Sequence, residues 1–528
     1  MTHLRWLDLA VIGVYMVGML AIGLRFAKRQ TSTEQYFIAK RSIPAWAMGV
    51  SIFATLISSI TFIAYPGNGY AGSWAELVPG FMVIGVLILV GAVIVPFFRR
   101  AVRMSAFEYF ERRFGYSIRA YTAIGFAAGA FSKMGFVFYL VALTVRSLTG
   151  WDMHSVIVVS GAVTVVYTYI GGLEAVIWTD VIQGFILWFG IVISLVYLIA
   201  LTPGGAPAAF HLAWVNHKFD LGTLDWSLSS KSVWVMAAYG FFWYLQKYTA
   251  DQTIVQRYLV ARSDRDALRG VGLGALLCIP VWALFLLIGT LTWAYYRLSG
   301  EALPAFVSKA DQVYPHFLAT HIPAGLAGVI MASLFAAAMS TISSDLNCFA
   351  TVGVEDFYRR ARPNASDREN LMVGKLIVAA AGALCTVVAI LLARTGGTAL
   401  SLYFTATSIL AGGLFGVFFL AFASTRASTA AVWVGIVANL LFTAYATLTS
   451  GHSRVLDLGR WNFHAQGVLI GVIGHLLVIV VGYAASFVLP ARQPVDRRMT
   501  IWGWRNETLT TGAPAPAQDS VSRRRTAG

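Results

Sequence analysis

The chain has 528 residues, of which 58% are hydrophobic and only 12% are charged, and its mean hydropathy is +0.70. Soluble chains carry about 25% charged residues on average, so this composition excludes a water-soluble globular protein. The net charge of +15 comes from 39 Lys and Arg against 24 Asp and Glu. Membrane topology and attraction to anionic lipid headgroups account for that excess, so a nucleic-acid partner is not needed.

Apolar runs long enough to cross a bilayer, which takes about 20 helical residues, follow one another from the N-terminus to residue 489. They predict an all-α membrane protein with about thirteen transmembrane helices, in one membrane domain over residues 1–490. The predicted helices lie at 7–26, 43–65, 77–98, 117–148, 155–170, 176–201, 233–256, 268–296, 325–352, 371–394, 400–424, 428–450 and 466–489. The first run lacks a strongly basic leader and a cleavage site of small residues, so we expect it to be retained. Residues 491–528, rich in Arg, Pro, Ala and Thr, are expected to form a disordered tail.

The basic residues predict the topology, because cytoplasmic loops hold the excess of Lys and Arg. One set of alternate loops, together with the tail, takes 27 of the 39 basic residues, Arg257 among them, and the other set takes nine. The N-terminus is therefore predicted outside and the C-terminus in the cytoplasm, as in a multi-pass protein of the cell (inner) membrane.

Motifs of enzymes and redox proteins are missing from the sequence. The three cysteines, Cys278, Cys348 and Cys385, have no C-x-x-C spacing, so neither a disulfide framework nor a zinc site is expected. The chain has no H-E-x-x-H, G-x-S-x-G or P-loop pattern, which argues against a membrane enzyme and a self-contained ATP-driven pump. We expect no cofactor and no obligate protein partner.

Two predicted helices contain polar clusters at mid-membrane depth. Hydroxyl side chains crowd residues 54–61 before the Tyr65-Pro66-Gly67 turn signal, and a polar cluster at 243–252 interrupts the seventh helix. Irregular backbone at this depth is tolerated where it lines a cavity, and broken helices in symmetry-related repeats hold the solute of many secondary transporters. A single hydroxyl more often bonds back to its own helix, but clusters in two helices five apart favour function.

Three stretches resemble the sodium:solute symporter family, namely residues 169–183 (YIGGLEAVIWTDVIQ), 251–257 (DQTIVQR) and 336–347 (AAAMSTISSDLN). The resemblance covers nearly all of residues 5–490. It implies a leucine-transporter-like fold with two inverted five-helix repeats, at about 43–201 and 233–424, one helix before them and two after. It also implies symport of a small solute with sodium by alternating access.

The family resemblance implies a sodium site built of oxygen atoms, which hard cations prefer. The matching positions for the first site are Ala54, Ile57, Ala337, Ser340 and Thr341. A second site, found in some members, matches Asp180, Ser340, Ser343 and Ser344, so two sodium ions per cycle are expected. The alternative role for Asp180 is a carboxylate stabilised by a helix dipole.

The expected solute is an anion, such as a sialic acid-like sugar acid or a monocarboxylate. Lys133 and Lys247 lie inside predicted helices, where a lysine costs about 2.5 to 3.5 kcal/mol unless it faces a cavity or a partner. By resemblance, Lys133 matches the position where sialic-acid-carrying members place an arginine for the substrate carboxylate. The candidate solute-binding residues are Ser58, Thr61, Lys133, Lys247, Tyr248, Phe242 and Phe404.

Other interpretations stay open at this point. Lys247 could pair internally with Asp251, one turn away, and Lys133 with another buried acid. A proton-coupled symporter, a sodium/neutral sugar symporter and, more distantly, a membrane sensor module are alternative functions. A hexose would find few polar partners here, since Gly80, Val83 and Phe404 stand where sugar carriers have polar groups, and the tail is too short for an output domain.

Overall fold

The computed structural model describes residues 6–102, 104–305, 307–395, 412–450, 454–490 and 496–503. Within these ranges all regular secondary structure is helical, apart from one isolated bridge between Ile43 and Ala261. The described part holds nine helices long and apolar enough to cross a membrane, or ten if the bent pair Ala45–Leu56 and Ser59–Ala71 counts as one span. The predicted all-α membrane class is confirmed, while the count of thirteen stays a prediction.

The helices are numbered in chain order. The first ten are α1 Trp6–Ala27, α2 Thr33–Ile38, α3 Ala45–Leu56, α4 Ser59–Ala71, α5 Val78–Leu89, α6 Val95–Ala101, α7 Glu108–Phe114, α8 Tyr116–Thr149, α9 Met153–Leu201 and α10 Gly205–Val215. The others are α11 Val233–Ala250, α12 Gln252–Leu259, α13 Asp264–Ser299, α14 Ala310–His321, α15 Leu326–Val352, α16 Arg359–Ala361, α17 Asp367–Thr395, α18 Leu414–Ala423, α19 Thr429–Thr449 and α20 Leu469–Val488.

The predicted interruption of the second span is present between α3 and α4, which meet at an angle of 61°. Ile57 and Ser58 have extended backbone there, with φ/ψ of −94°/113° and −114°/174°. Ser58 and Thr61 form a capping box that begins α4, which satisfies amide groups left free by the break. The carbonyl groups at the end of α3 are correspondingly released from the helical ladder.

The seventh predicted span is broken as well, between α11 and α12. Asp251 is the residue at the break, with extended backbone (φ −103°, ψ 112°), and its side chain accepts a hydrogen bond from the Thr253 amide. An aspartate at this position is a strong helix N-cap. Both polar clusters noted in the sequence therefore coincide with broken helices.

The predicted helices 155–170 and 176–201 run together as α9, which changes direction at Gly172. This residue has φ 58° and ψ −162°, a conformation that glycine adopts without a steric cost. A Cβ atom at this position would lie 2.7 Å from the Tyr36 ring. The glycine pair at 171–172 thus allows both the bend and the close approach of α2.

Helix α15 lies at the centre of the molecule and packs against α1, α3, α8, α9 and α17. Of its most apolar window, 83% is buried inside the protein, against at most 50% for the other eight candidate spans of the described part. The three cysteines are buried and free. Polar side chains on α15 consequently face other parts of the protein rather than lipid.

Residues 496–503, inside the segment predicted to be disordered, lie against the membrane domain. The Tyr109 hydroxyl donates to the Met499 carbonyl at 2.8 Å, and the Trp502 indole donates to the Ala423 carbonyl at 2.7 Å. Two aromatic side chains thus connect this short stretch to the membrane domain, a contact that composition alone does not indicate, and disorder of residues 491–528 stays an expectation.

Candidate ion and solute sites

The five residues predicted for the first sodium site lie at the contact between α15 and the end of α3. The Ser340 hydroxyl donates to the Ala54 carbonyl at 2.9 Å and to the Ala337 carbonyl at 3.2 Å. The Thr341 hydroxyl donates to Ala337 at 3.1 Å and to Thr55 at 3.4 Å. Ile57 lies directly after α3 in the extended backbone of the break.

All of these residues are buried. Two hydroxyl groups and several carbonyl groups from distant parts of the chain thus meet in one place. This donor set is neutral and consists of oxygen atoms, as a hard monovalent cation requires.

Arg257 lies in the middle of the residues predicted for the second sodium site. Its guanidinium donates to the Asp180 carboxylate and to the Ser51 hydroxyl, each at 2.9 Å, and to the Ser344 hydroxyl. The side chains of Arg257 and Asp180 have no exposed surface. Asp180 and Ser344 are therefore joined through Arg257.

Sequence reasoning missed this role and placed Arg257 in a cytoplasmic loop, which was wrong. One feature of the sequence could have indicated a buried role for Arg257: it lies one helical turn after Thr253, in a short helix that begins at a break.

One oxygen atom of Asp180 has no donor among the described residues. Its Oδ2 atom accepts the bonds from Arg257 and Ser51, but Oδ1 is buried and has no hydrogen-bond partner among the described residues. Gln183, three residues further along α9, has a buried Oε1 atom in the same situation. Tyr167 lies beside both Gln183 and Ser343. A carboxylate oxygen and an amide oxygen thus lack donors close to a serine predicted to bind sodium.

Lys133 reaches from α8 to the central helix. Its ammonium group lies 3.0 Å from both oxygen atoms of the Asp345 carboxylate. The Lys133 side chain is 28% exposed, whereas Asp345 is fully buried. The lysine therefore points toward α15, with part of its side chain still accessible.

Lys247 forms the second lysine–aspartate pair, which is partly buried, with Asp251 at 2.5 Å. Its ammonium also lies 5.3 Å from the centre of the Trp243 ring, where a cation–π interaction adds to the pair. The Lys247 side chain is 20% exposed and Asp251 13%. Internal pairing, the alternative interpretation of both lysines, is the arrangement in the structure, and both lysine side chains retain some accessible surface.

The aromatic candidates are placed differently from each other. Tyr248 is fully buried and stacks on Tyr244, with ring centres 6.4 Å apart. Phe242 stacks on His475 of α20 at 5.9 Å, which directs it toward the last helices of the domain.

The remaining solute candidates are Ser58, Thr61 and Phe404. Ser58 and Thr61 are buried at the start of α4. Phe404 lies outside the residues that the structure describes.

A family model described as the sodium:solute symporter family matches residues 36–438. The chain belongs to the sodium:solute symporter family. The similar proteins include a sodium/sialic acid symporter of Proteus mirabilis (strain HI4320), which is 33% identical over 492 residues, covering 92% of this chain and 96% of the relative. Members of the family are transporters, which agrees with the expectation that this chain is not an enzyme.

Solved structures place this symporter in a known fold. A substrate-bound, outward-open sodium-coupled sialic acid symporter superposes with a TM-score of 0.85 at 31% identity, covering 93% of this chain and 99% of that one. Mhp1, a nucleobase-cation-symport-1 transporter, matches with a TM-score of 0.54 at 16% identity, over 86% of this chain and 95% of that one. The second likeness concerns the fold alone. The chain is accordingly a multi-pass, sodium-coupled symporter of a small solute.

Proposed function

We propose that this symporter imports a small organic solute with a carboxylate group, a sialic acid-like sugar acid or a monocarboxylate, together with two sodium ions by alternating access. The observation that carries the solute class is the partial exposure of the Lys133 and Lys247 side chains, each of which is more accessible than its aspartate partner. The names of the Proteus mirabilis relative and of the solved sialic acid symporter support the same class.

The chemistry of the two ion pairs favours an anionic ligand. A lysine ammonium has three N–H donors, and the carboxylate of Asp345 or Asp251 leaves donor capacity for a ligand. The accessible surface is larger on each lysine than on its aspartate, 28% against 0% and 20% against 13%. A solute entering the cavity therefore meets donors first, which suits a carboxylate better than a cation.

The proposal of a second sodium ion is supported by the oxygen atoms of Asp180 and Gln183 that have no donor among the described residues. Arg257 neutralises one side of the Asp180 carboxylate and fixes its orientation, while Oδ1 remains without a donor in the described part. Each sodium ion that enters down a potential of 100 mV supplies about 2.3 kcal/mol. Two ions would therefore drive a much steeper solute gradient than one.

We further propose thirteen transmembrane helices, with the N-terminus outside, the C-terminus in the cytoplasm and inverted repeats at about 43–201 and 233–424. The three-to-one distribution of basic residues supports this orientation. A location in the cell (inner) membrane follows from the need for a sodium gradient.

Uptake by purified protein in liposomes tests the solute class. We expect accumulation of sialic acid or of a monocarboxylate when sodium is outside, and none when choline replaces sodium at constant pH. Lys133→Ala should abolish this uptake and lower the melting temperature, because it leaves the buried Asp345 carboxylate unpaired, while the rise in melting temperature on adding sodium should remain. Uptake of a neutral sugar but no carboxylate, or accumulation driven by a pH gradient without sodium, would favour the alternative functions.

Asp180→Asn tests the second sodium ion. Asparagine keeps one oxygen and the volume but removes the charge that a cation needs, so the Hill coefficient for sodium should fall from near two toward one. Sodium dependence of uptake measures this coefficient, and the melting temperature controls for the loss of charge beside Arg257. A folded variant with an unchanged Hill coefficient would contradict the second site.

A further inference from the structure

Helix α15 brings the sodium and solute sites together at consecutive residues. Ser343 and Ser344 belong to the predicted second sodium site, and Asp345 follows directly. The Ser344 hydroxyl contacts Thr55 of α3 at 3.1 Å and accepts from Arg257, whereas the Asp345 carboxylate contacts Lys133 of α8. One helical residue rotates the side chain by about 100°, so adjacent positions face the two sites.

Lys133 is the partner on which Asp345 depends. Among the described residues, the carboxylate makes no other hydrogen bond or ion pair, and it is fully buried. A buried charge without a partner is costly, so Asp345 holds the ammonium group firmly. The same contact offsets the positive charge that Lys133 presents to the cavity.

Asp251 provides a contrast within the same cavity. Its Oδ1 atom accepts from the amide and the hydroxyl of Thr253, while Oδ2 accepts from Lys247. The aspartate thus has partners besides its lysine, and it lies on the broken helix rather than on α15. Asp345, in contrast, directly follows Ser343 and Ser344 on α15.

We infer that Asp345 is a positioning residue that makes solute binding depend on sodium. Without sodium its carboxylate masks the charge of Lys133, and a sodium ion at the Ser343 and Ser344 hydroxyls attracts that carboxylate and leaves Lys133 free to bind the solute. This inference rests on the proposed role of Lys133 in carboxylate binding. It predicts a gain of binding, which simple damage to the site would not produce.

Binding of sialic acid to purified protein, in sodium chloride or in choline chloride of equal ionic strength, tests this role. For the wild type we expect affinity about tenfold tighter in sodium, within the usual range of coupling between linked sites. Asp345→Asn should bind in choline about as tightly as the wild type binds in sodium, because Lys133 then lacks its direct carboxylate partner. Retention of the wild-type sodium dependence, or loss of binding in both salts, would overturn the inference.

Asp251→Asn is the matched control. Asparagine preserves the helix cap but removes the charge beside Lys247, so sodium dependence should persist. If this control loses its sodium dependence to the same degree as Asp345→Asn, the effect is not specific to α15 and the inference fails.

A measurement on the wild type decides the matter independently of variant folding and of the solute. Acetylation of Lys133 by acetic anhydride, quantified by mass spectrometry, should be faster in sodium than in choline, since the released lysine is no longer held by a carboxylate. Lys247 is the internal reference and should change less. Equal rates at Lys133 in both salts would overturn the inference. Undiminished sialic acid binding by Lys133→Ala would instead refute the proposed solute role, leaving the acetylation result to judge the link between sodium and Lys133.

Discussion

The two helix breaks of this symporter carry different polar groups. At the first, between α3 and α4, carbonyl groups and the hydroxyls of Ser340 and Thr341 form a neutral set of oxygen atoms. At the second, Asp251 supplies a full negative charge, and Lys247 neutralises it at 2.5 Å. The neutral oxygen atoms of the first break can bind a cation from solution. At the second break, the Lys247 ammonium already occupies the place of such a cation beside Asp251.

Because of this difference, substitutions at the two breaks should affect different properties of the protein. Loss of a neutral hydrogen bond costs only about 0.5–1.5 kcal/mol, so changes at the first break should mainly affect sodium binding. Removal of one partner from a fully buried ion pair costs about 3–5 kcal/mol, so loss of Asp251 from this partly buried pair should mainly affect stability.

The largest effect is expected from Asp251→Ala, at the second helix break. This change removes the cap of α12 and leaves Lys247 without its counter-charge, so abundance in the membrane and melting temperature should both fall sharply. The double variant with Lys247→Met should recover part of the loss, because no unpaired charge remains. Detergent-solubilised protein followed by fluorescence-detected size exclusion gives both quantities. Equal stability of the single and double variants would mean that the pair has no energetic role.

An intermediate effect is expected at the first break from Thr341→Val, which removes a hydroxyl and preserves the side-chain shape. The sodium concentration for half-maximal uptake should rise about tenfold, equivalent to about 1.4 kcal/mol of lost ion binding, with little change in melting temperature. Thr164→Val is the matched control, since this buried hydroxyl of α9 only donates to the Ser160 carbonyl at 2.7 Å. If both variants shift the sodium dependence equally, the effect is one of helix packing.

The smallest effect concerns the C-terminal end of α4, where a lysine binds backbone carbonyl groups. Lys218 donates to the carbonyls of Tyr70 and Gly72 at 2.6 and 2.9 Å. Burial, with a smaller contribution from Arg297, lowers the pKa of Lys218 to about 8 from 10.5. Between these values the unfolded chain binds more protons than the folded one, so the contribution of this group to the free energy of unfolding rises with pH.

Lys218→Met should therefore remove a small stabilising slope between pH 8 and 10. The difference in melting temperature between wild type and variant, measured at both pH values, should change in favour of the wild type at pH 10. Below pH 8 the difference should be flat. A difference that moves in favour of the variant as pH rises would show that the charged form of Lys218 is the stabilising one.

The sequence predicted the helices well and the partners across them poorly. Apolar runs and hydroxyl clusters located the spans and both breaks, because membrane thickness and unsatisfied backbone leave a local trace. Contacts between residues far apart along the chain leave no such local trace in the sequence. Arg257 meets Asp180 from 77 residues away, and Lys133 meets Asp345 from 212 residues away.

The faces of helices were equally hard to predict. Phe242 is an aromatic residue of the broken helix, yet it packs against His475, and nothing in the local pattern distinguishes that face from one lining a cavity. The family resemblance compensated for part of this gap by pointing to Ser340 and Thr341, whose contacts depend on the packing of α15 against α3.

The burial of Cys278, Cys348 and Cys385 has a practical consequence for measuring motion. Since each native thiol is shielded from the aqueous phase, maleimide dyes or nitroxide spin labels should react selectively with cysteines introduced on outer or inner loops. Pairs of such labels could then report how far the two membrane faces open and close during the transport cycle, without first replacing the natural cysteines.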